Sequence, residues 1–360
     1  MTRRRVVLLF GGRSSEHSIS CATAGGILAA LDPEKYEVVP VGITRAGACV
    51  LASGDPDDWR LDPEALPEVL DNGTRVLWPE SAATREMKVV SDGKAASLGD
   101  VDVVFPILHG PFGEDGTIQG LLELIDLPYV GSGVLASALG MDKDFAKVMF
   151  RAAGIPVAPS HTVTASEWAD APLAAQAAAE SLGYPLFVKP ARAGSSMGVS
   201  KVHVAAELAA ALRRAFAEDQ KVLLEAAIVG REVELGVLGA RPGESPRASV
   251  AGEIVITGRE FYDFEGKYLD APGIDLVCPA PLADEELRVM QDLAVRAFTA
   301  IGAAGLARVD FFLTPDGFVL NEINTMPGFT PISMFPKCWQ ASGLSYEALL
   351  DALIELALGL

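Results

Sequence analysis

Asp310, Glu322 and Asn324 are the residues whose types and spacing point most directly to chemistry. They lie in two apolar stretches, Arg308-Val309-Asp310-Phe311-Phe312 and Glu322-Ile323-Asn324-Thr325-Met326-Pro327-Gly328-Phe329-Thr330. Side chains alternate between the faces of a strand, so Glu322 shares a face with Asn324, and Arg308 with Asp310. Thr314-Pro315-Asp316-Gly317 reads as a hairpin turn that folds Asp310 back beside the Glu322/Asn324 pair. Carboxylate and amide oxygens without a nearby His or Cys suit Mg²⁺ better than zinc. Solvated acids on a hairpin would account for one exposed carboxylate more easily than for three ligand-type side chains set among Phe311, Phe312, Val319, Leu320 and Ile323. Arg308 could stabilise an oxyanion, with the backbone N–H of Gly328 as a second donor, or simply pair with Asp310.

Other segments carry chemistry in their residue types. Lys189-Pro190-Ala191-Arg192-Ala193-Gly194-Ser195-Ser196-Met197-Gly198 places a strand-terminal lysine before a glycine-rich loop whose N–H groups could cradle phosphates. It lacks the Gly-Lys-Ser/Thr ending of a Walker loop, and a plain hairpin turn is the alternative. Gly11-Gly12-Arg13-Ser14-Ser15-Glu16-His17-Ser18 is either a strand–helix connection or a place where backbone approaches an anion, and it lacks dinucleotide-binding spacing. His109 ends an apolar run, where a histidine is either a hydrogen-bonded structural residue or a functional one. Glu225 and Glu232 read as a strand exit and a partly buried acid. Phe261-Tyr262-Asp263-Phe264-Glu265-Gly266-Lys267-Tyr268 mixes aromatics and charges, as a loop closing over a site does, or a packed structural loop.

The elements that must position these residues begin with a strand Val6–Phe10, a helix Ser18–Leu31 and a strand Tyr36–Ile43, an order that predicts a doubly wound parallel sheet with ligands at its carboxyl edge. Short β-like runs at Arg75–Trp78 and Lys88–Val90 suggest an inserted hairpin. Val101–Leu108 reads as a strand, Thr117 as a helix cap, Val134–Ala153 as one helix, and Tyr184–Lys189 as a strand stopped by Pro190. Ala205–Ala217 and Tyr346–Leu358 read as helices and Val222–Leu224 as a strand. With 360 residues, 50% of them hydrophobic and 21% charged, the chain is expected to be a soluble globular protein of two or three domains. Its formal charge of -19 argues against a nucleic-acid surface. Cys21, Cys49, Cys278 and Cys338 are dispersed without a CxxC pair, which suggests buried reduced thiols. The basic start leads into an apolar run that stops at Gly11-Gly12, too soon for a signal peptide, and no later run is long enough to span a bilayer. A cytoplasmic location with no membrane partner is the expectation.

The D-x-(about ten residues)-E-x-N-T-x-P-G ending, together with the Lys189 loop and the His-Gly-x-x-Gly-Glu-Asp-Gly-Thr-x-Gln-Gly pattern at His109, resembles the ATP-grasp ligases, and among them the D-alanine–D-alanine ligases. The resemblance spans nearly the whole chain, with residues 44–98 looking like an insertion. It implies an α/β and α+β, three-domain ATP-grasp architecture: 1–131 with the doubly wound parallel sheet, 132–225 as the central part, and 226–360 carrying the metal site. It implies ATP and two Mg²⁺, or Mn²⁺, as cofactors, D-alanine as substrate, a homodimer, and a role in peptidoglycan precursor synthesis. By the same resemblance Glu16 holds the ammonium of the first D-alanine and joins Ser195 and Tyr268 in a network, while His109 meets that substrate's carboxylate end. Lys143, Lys189 and Lys267 are phosphate lysines, with Ser195, Ser196 and Phe261 beside the nucleotide. Glu225, Ala226 and Ile228 read adenine and Glu232 takes the ribose. Ser333 and the backbone of Met334 hold the second carboxylate, Arg308 and Gly328 the oxyanion, and Asp310, Glu322 and Asn324 the metal. A D-alanine–D-lactate ligase or another ATP-grasp carboxylate–amine ligase is the nearest alternative.

Overall fold

The structure is a computed structural model that describes residues 3–62, 64–257 and 273–360. Its strands run β1 Arg4–Gly11, β2 Tyr36–Ile43, β3 Cys49–Leu51, β4 Arg75–Leu77, β5 Glu86–Ser91, β6 Lys94–Asp100, β7 Val103–Pro106, β8 Ser160–Thr164, β9 Leu186–Pro190, β10 Ser200–Val202, β11 Lys221–Ala226, β12 Arg231–Leu238, β13 Arg247–Ile256, β14 Ile274–Val277, β15 Leu306–Thr314 and β16 Gly317–Asn324. They form sheets of order β3-β2-β1-β7, β4-β5-β6, β10-β9-β11-β8 and β14-β13-β12-β15-β16.

In the first sheet β1 pairs parallel with both β2 and β7, and β3 adds an antiparallel edge. A parallel strand covered on both faces must be apolar throughout, as Val6 to Phe10 are. Val6, Leu8 and Phe10 face one core with the helix His17–Ala30, and Val7 and Leu9 face another with the helix Thr117–Leu124. The first of these cores also takes in Phe329, Phe335 and Leu349–Ile354, so the C-terminal end of the chain completes it.

The third and fourth sheets are antiparallel throughout. Helices Pro172–Leu182 and Ala205–Phe216 bury Ala175, Ala179, Leu208, Ala211 and Leu212 against β9 and β11. The helix Asp284–Ala300 buries Met290, Ala294, Ala297 and Phe298 against the five-stranded sheet.

Several expected boundaries move for local reasons. Val134–Ala153 is two helices, Val134–Met141 and Lys143–Ala152, because Asp142 leaves the helical conformation and its carboxylate accepts the Phe145 N–H at 3.2 Å. Thr117 is the first helical residue rather than the cap; that place belongs to Gly116, with the Thr117 N–H bonded to Asp115 Oδ1. Pro190 ends β9 as its last paired residue, and the strand starts at Leu186 rather than Tyr184. The run Val101–Leu108 contracts to β7, leaving His109 three residues past the strand end. The inserted segment is a three-stranded sheet instead of a hairpin, since Lys94–Asp100 pairs with β5 despite lacking apolar alternation. All four cysteines are free; Cys21 and Cys338 are buried and Cys49 and Cys278 half-buried.

Candidate active site

β15 and β16 build the first wall of the site. Val309 and Phe311 point into the core, so the alternate residues Arg308 and Asp310 point the other way. On β16 the pairing is Arg308 with Asn324 and Asp310 with Glu322, and then it slips, leaving Asn321 as an extra bulged residue before Leu320 meets Phe311. The bulge lets Leu320 and Ile323 both reach the core although they are three residues apart. Arg308, Asp310, Glu322 and Asn324 thereby stand on one face. The turn between the strands is the two residues Pro315 and Asp316, as the sequence suggests.

Charge on this face is densely paired. Arg308 donates from Nε and Nη2 to the two oxygens of Asp310, both at 2.7 Å, and its Nε lies 3.3 Å from Glu234 Oε2. Burial alone would lower the Arg308 pKa, but Asp310 and Glu234 outweigh it and hold the guanidinium firmly protonated. Asn324 Nδ2 donates to Asp310 at 3.1 Å. Glu234 was not singled out from the sequence; its register opposite Asp310 on β12 brings it there.

The second wall comes from β9, β11 and the helix Lys143–Ala152. Lys143 Nζ donates to Ala193 O at 2.8 Å and lies 3.8 Å from Glu322, joining the glycine-rich loop to the acidic face. That loop connects β9 and β10, and Ser195 and Ser196 both adopt the left-handed region, at φ 48° and 58°. Ser195 Oγ donates to Glu16 Oε1 in a short hydrogen bond. A Cβ at Gly194 would lie 2.8 Å from the other Glu16 oxygen and one at Gly110 2.6 Å, so a side chain at either would displace that carboxylate, and Gly110 at φ 73° also favours glycine by its backbone. Lys189 pairs with Glu225, whose other oxygen lies 2.7 Å from Lys147 Nζ. Burial would raise Glu225, yet Lys189 and Lys147 hold its pKa down at about 2.

The first sheet supplies the third wall. Ser14 Oγ donates to His109 O at 2.7 Å, tying the Gly11–Glu16 loop to the loop after β7. His109 Nδ1 faces Met326 O at 3.1 Å, while its Nε2 is buried without a hydrogen-bond partner among the described residues. Burial lowers the His109 pKa, with Glu16 working against it. Glu114, five residues after His109 and without a sequence signal of its own, accepts the Gly110 N–H at 2.6 Å. Burial and the neighbouring Glu16 push its pKa up to about 8.

These walls enclose a single cleft of about 960 Å³. Glu16, His109, Lys143, Lys189, Ser195, Ser196, Glu225, Ala226, Ile228, Glu232, Arg308, Asp310, Glu322, Asn324, Gly328, Ser333 and Met334 all line it. Ser333 is the N-cap of the helix Met334–Ala341, where unpaired N–H groups favour an anion, and its hydroxyl shares a 2.7 Å hydrogen bond with Thr330. Phe261, Lys267 and Tyr268 lie outside the described residues. The donor set of Asp310, Glu322 and Asn324 is all oxygen, which fits a hard cation; among the described residues no group of three or more His, Cys, Asp or Glu could cage a metal by itself. Such a cation would take its remaining ligands from phosphate or water.

A four-stranded and a five-stranded antiparallel sheet lining one cleft, with a parallel sheet completing it, define the ATP-grasp ligase class, and the solved structures that resemble the chain share it. The chain matches the family described as D-ala D-ala ligase N-terminus over residues 5–132 and D-ala D-ala ligase C-terminus over residues 149–355. It is 54% identical over 358 residues to the D-alanine–D-alanine ligase of Arthrobacter sp. (strain FB24), covering 98% of this chain and 94% of that one. It is 51% identical to the enzyme of the same name from Streptomyces coelicolor, over 98% of this chain and 93% of that one. Among solved structures it resembles the VanG D-Ala:D-Ser ligase from Enterococcus faecalis, with a TM-score of 0.84, 36% identity and coverage of 99% and 100%. The D-alanine–D-alanine ligase from Coxiella burnetii gives a TM-score of 0.82, 35% identity and coverage of 99% and 94%. The chain belongs to the D-alanine–D-alanine ligase family.

Proposed function

We propose that this protein joins two D-alanines into D-alanyl-D-alanine at the expense of ATP, for peptidoglycan precursor synthesis. The observation that carries this reading is the single cleft in which lysines and a glycine-rich loop stand across from Arg308, Asp310, Glu322 and Asn324, with Glu16 and His109 between them.

The carboxylate of the first D-alanine attacks the γ-phosphate, giving an acyl phosphate and ADP; the amine of the second then attacks the acyl carbon, and phosphate leaves. Glu16 receives the first ammonium, its carboxylate oriented by the Ser195 hydroxyl. The Met326 carbonyl accepts a hydrogen bond from the Nδ1–H of His109, so the neutral ring offers Nε2 only as an acceptor. Binding a carboxylate there requires the imidazolium, which the substrate's own charge favours. Lys143 and Lys189 face the phosphates, and Glu225, Ala226, Ile228 and Glu232 line the nucleotide end. Ser333 and the helix it begins receive the second carboxylate. Arg308 and the Gly328 N–H stabilise the tetrahedral oxyanion, two of the guanidinium's five donors already being fixed on Asp310. Asp310, Glu322 and Asn324 would hold Mg²⁺, or Mn²⁺, which when bound offsets the phosphate charge. Lys267 and Tyr268, outside the described residues, are proposed to complete the phosphate site and the Glu16–Ser195 network. The same reading expects a homodimer working in the cytoplasm.

ADP release should require ATP, a divalent cation and D-alanine together, with D-alanyl-D-alanine rather than D-alanyl-D-serine identified by mass spectrometry when both acceptors are offered. Glu322→Gln should lose more turnover than the about 10- to 100-fold that removing a residue merely hydrogen-bonded to a metal ligand costs. Full activity in that variant, with an intact circular dichroism spectrum, would remove Glu322 from the metal role.

A further inference from the structure

The helix Lys143–Ala152 carries two lysines one turn apart. The second, Lys147, has a side chain only 3% exposed, and its Nζ lies 2.7 Å from Glu225 Oε2, on an equally enclosed carboxylate. Lys189 holds the other oxygen of that carboxylate. In the β9/β11 pairing Lys189 sits opposite Leu223, and Glu225 is two residues further along β11, so both side chains leave the same face. An isolated buried charge is costly, and these three persist because each is paired. Burial lowers the pKa of Lys147, with Glu225 working against it; with both lysines protonated, two ammonium groups meet one carboxylate and the net charge is +1. Lys189 and Glu225 line the cleft, and Lys147 stands behind them. A pair of Lys189 and Glu225 alone would be neutral, and the carboxylate would compete with any incoming anion for Lys189.

Building on the nucleotide reading of the cleft, we propose that Lys147 is a positioning residue for ATP: it shares the Glu225 carboxylate from behind and so leaves the positive charge of Lys189 less fully compensated toward phosphate. Lys147 touches no substrate and acts only through Glu225. Its remaining contact, 3.5 Å to the carbonyl of the bulged Asn321, is at the outer limit of a hydrogen bond and contributes little.

Titration of the purified protein with a non-hydrolysable ATP analogue tests this. Lys147→Met keeps most of the volume and takes the triad to zero charge, and should weaken analogue binding about ten-fold or more while the KM for D-alanine changes little. Lys147→Met combined with Glu225→Gln restores the net +1 and, since glutamine keeps a carbonyl oxygen as acceptor at the nucleotide end, should bind the analogue more tightly than Lys147→Met alone. A lysine with only a structural role would lower thermal stability and both substrate affinities together, without rescue by the second substitution. Should Lys147→Met fail to fold, Lys147→Gln, which loses the charge but keeps an N–H donor for Glu225, takes its place with the same expectation, and unchanged analogue binding in that variant would overturn the proposal. Unchanged binding in a folded Lys147→Met protein would overturn the role of Lys147 alone; a wild-type protein that does not bind the analogue would remove the nucleotide reading and this proposal with it.

Discussion

At the scale of single residues, the cleft is organised by which charges are kept and which are suppressed. Glu225 is held ionised by its two ammonium partners, whereas Glu114 sits where burial and Glu16 both oppose its charge. Its pKa of about 8 in the fold stands above the ordinary glutamate value of 4.5. A carboxyl group raised in this way adds stability that is fully present below the unfolded value and is lost as pH climbs through the folded one. The melting temperature of the wild-type protein should therefore fall relative to Glu114→Gln, which stays neutral, as pH rises from about 4.5 to about 8. Parallel melting profiles for the two proteins across that window would show that Glu114 does not titrate there. His17 shows the opposite design, a buried ring satisfied on both nitrogens by Gly12 O at 2.6 Å and the Val69 N–H at 2.9 Å, which fixes the turn ahead of Glu16 to the inserted segment.

At the scale of elements, the break at Asp142 has the clearest mechanical purpose. Asp142 caps the helix that begins with Lys143 and pairs with Lys221 at 2.7 Å, fastening that helix to the first residue of β11. Asp142→Ala should cost roughly 1–3 kcal/mol, from the lost cap and the lost partner of Lys221, in chemical denaturation. Asp142→Asn, which can still cap, should recover about 1 kcal/mol of that, and identical losses in the two variants would show that the cap contributes nothing. The sequence announces the β15/β16 hairpin clearly, because apolar alternation, a turn of Pro and Asp, and three oxygen-bearing side chains coincide within a few residues. It conceals the Asp142 break, where helical spacing continues on both sides and Gly140 alone weakens it, while one hydrogen bond at Asp142 decides the matter. It conceals β6 as well, since Lys94–Asp100 is largely exposed and is a strand only because β5 lies beside it. Lys147, Glu234 and Glu114 were missed for a related reason: their importance comes from partners 74 to 98 positions away, and no local pattern marks a buried charge.

At the scale of the whole molecule, the cleft exists because the ends of the chain are packed together. Phe329 is fully buried, its ring centroid 6.1 Å from Phe105 of β7, 5.5 Å from Phe335 and 5.6 Å from Tyr346, and its carbonyl accepts the Tyr346 hydroxyl at 2.6 Å. It lies five residues beyond Asn324 and one beyond Gly328, so the same residues that close the first core also hold the acidic hairpin against the first sheet. We therefore propose the divisions at residues 131 and 225 as boundaries between sheets, the second moved just past Ala226 where β11 ends, not between units that fold alone. Phe329→Ala should cost about 3–5 kcal/mol, the range for truncating a buried aromatic. Because the cavity would open where the first sheet meets the C-terminal helices, hydrogen exchange should rise in both β1 and the helix Tyr346–Ala357 rather than in one of them. The fragment 1–131 expressed alone would leave Val6, Leu8 and Phe10 without Phe335 and Leu349–Ile354 over them, and is expected to show no cooperative thermal transition. A sharp two-state melt from that fragment, or exchange confined to the C-terminal helix in Phe329→Ala, would mean that the first sheet is stable on its own and that the cleft is formed by docking of finished parts.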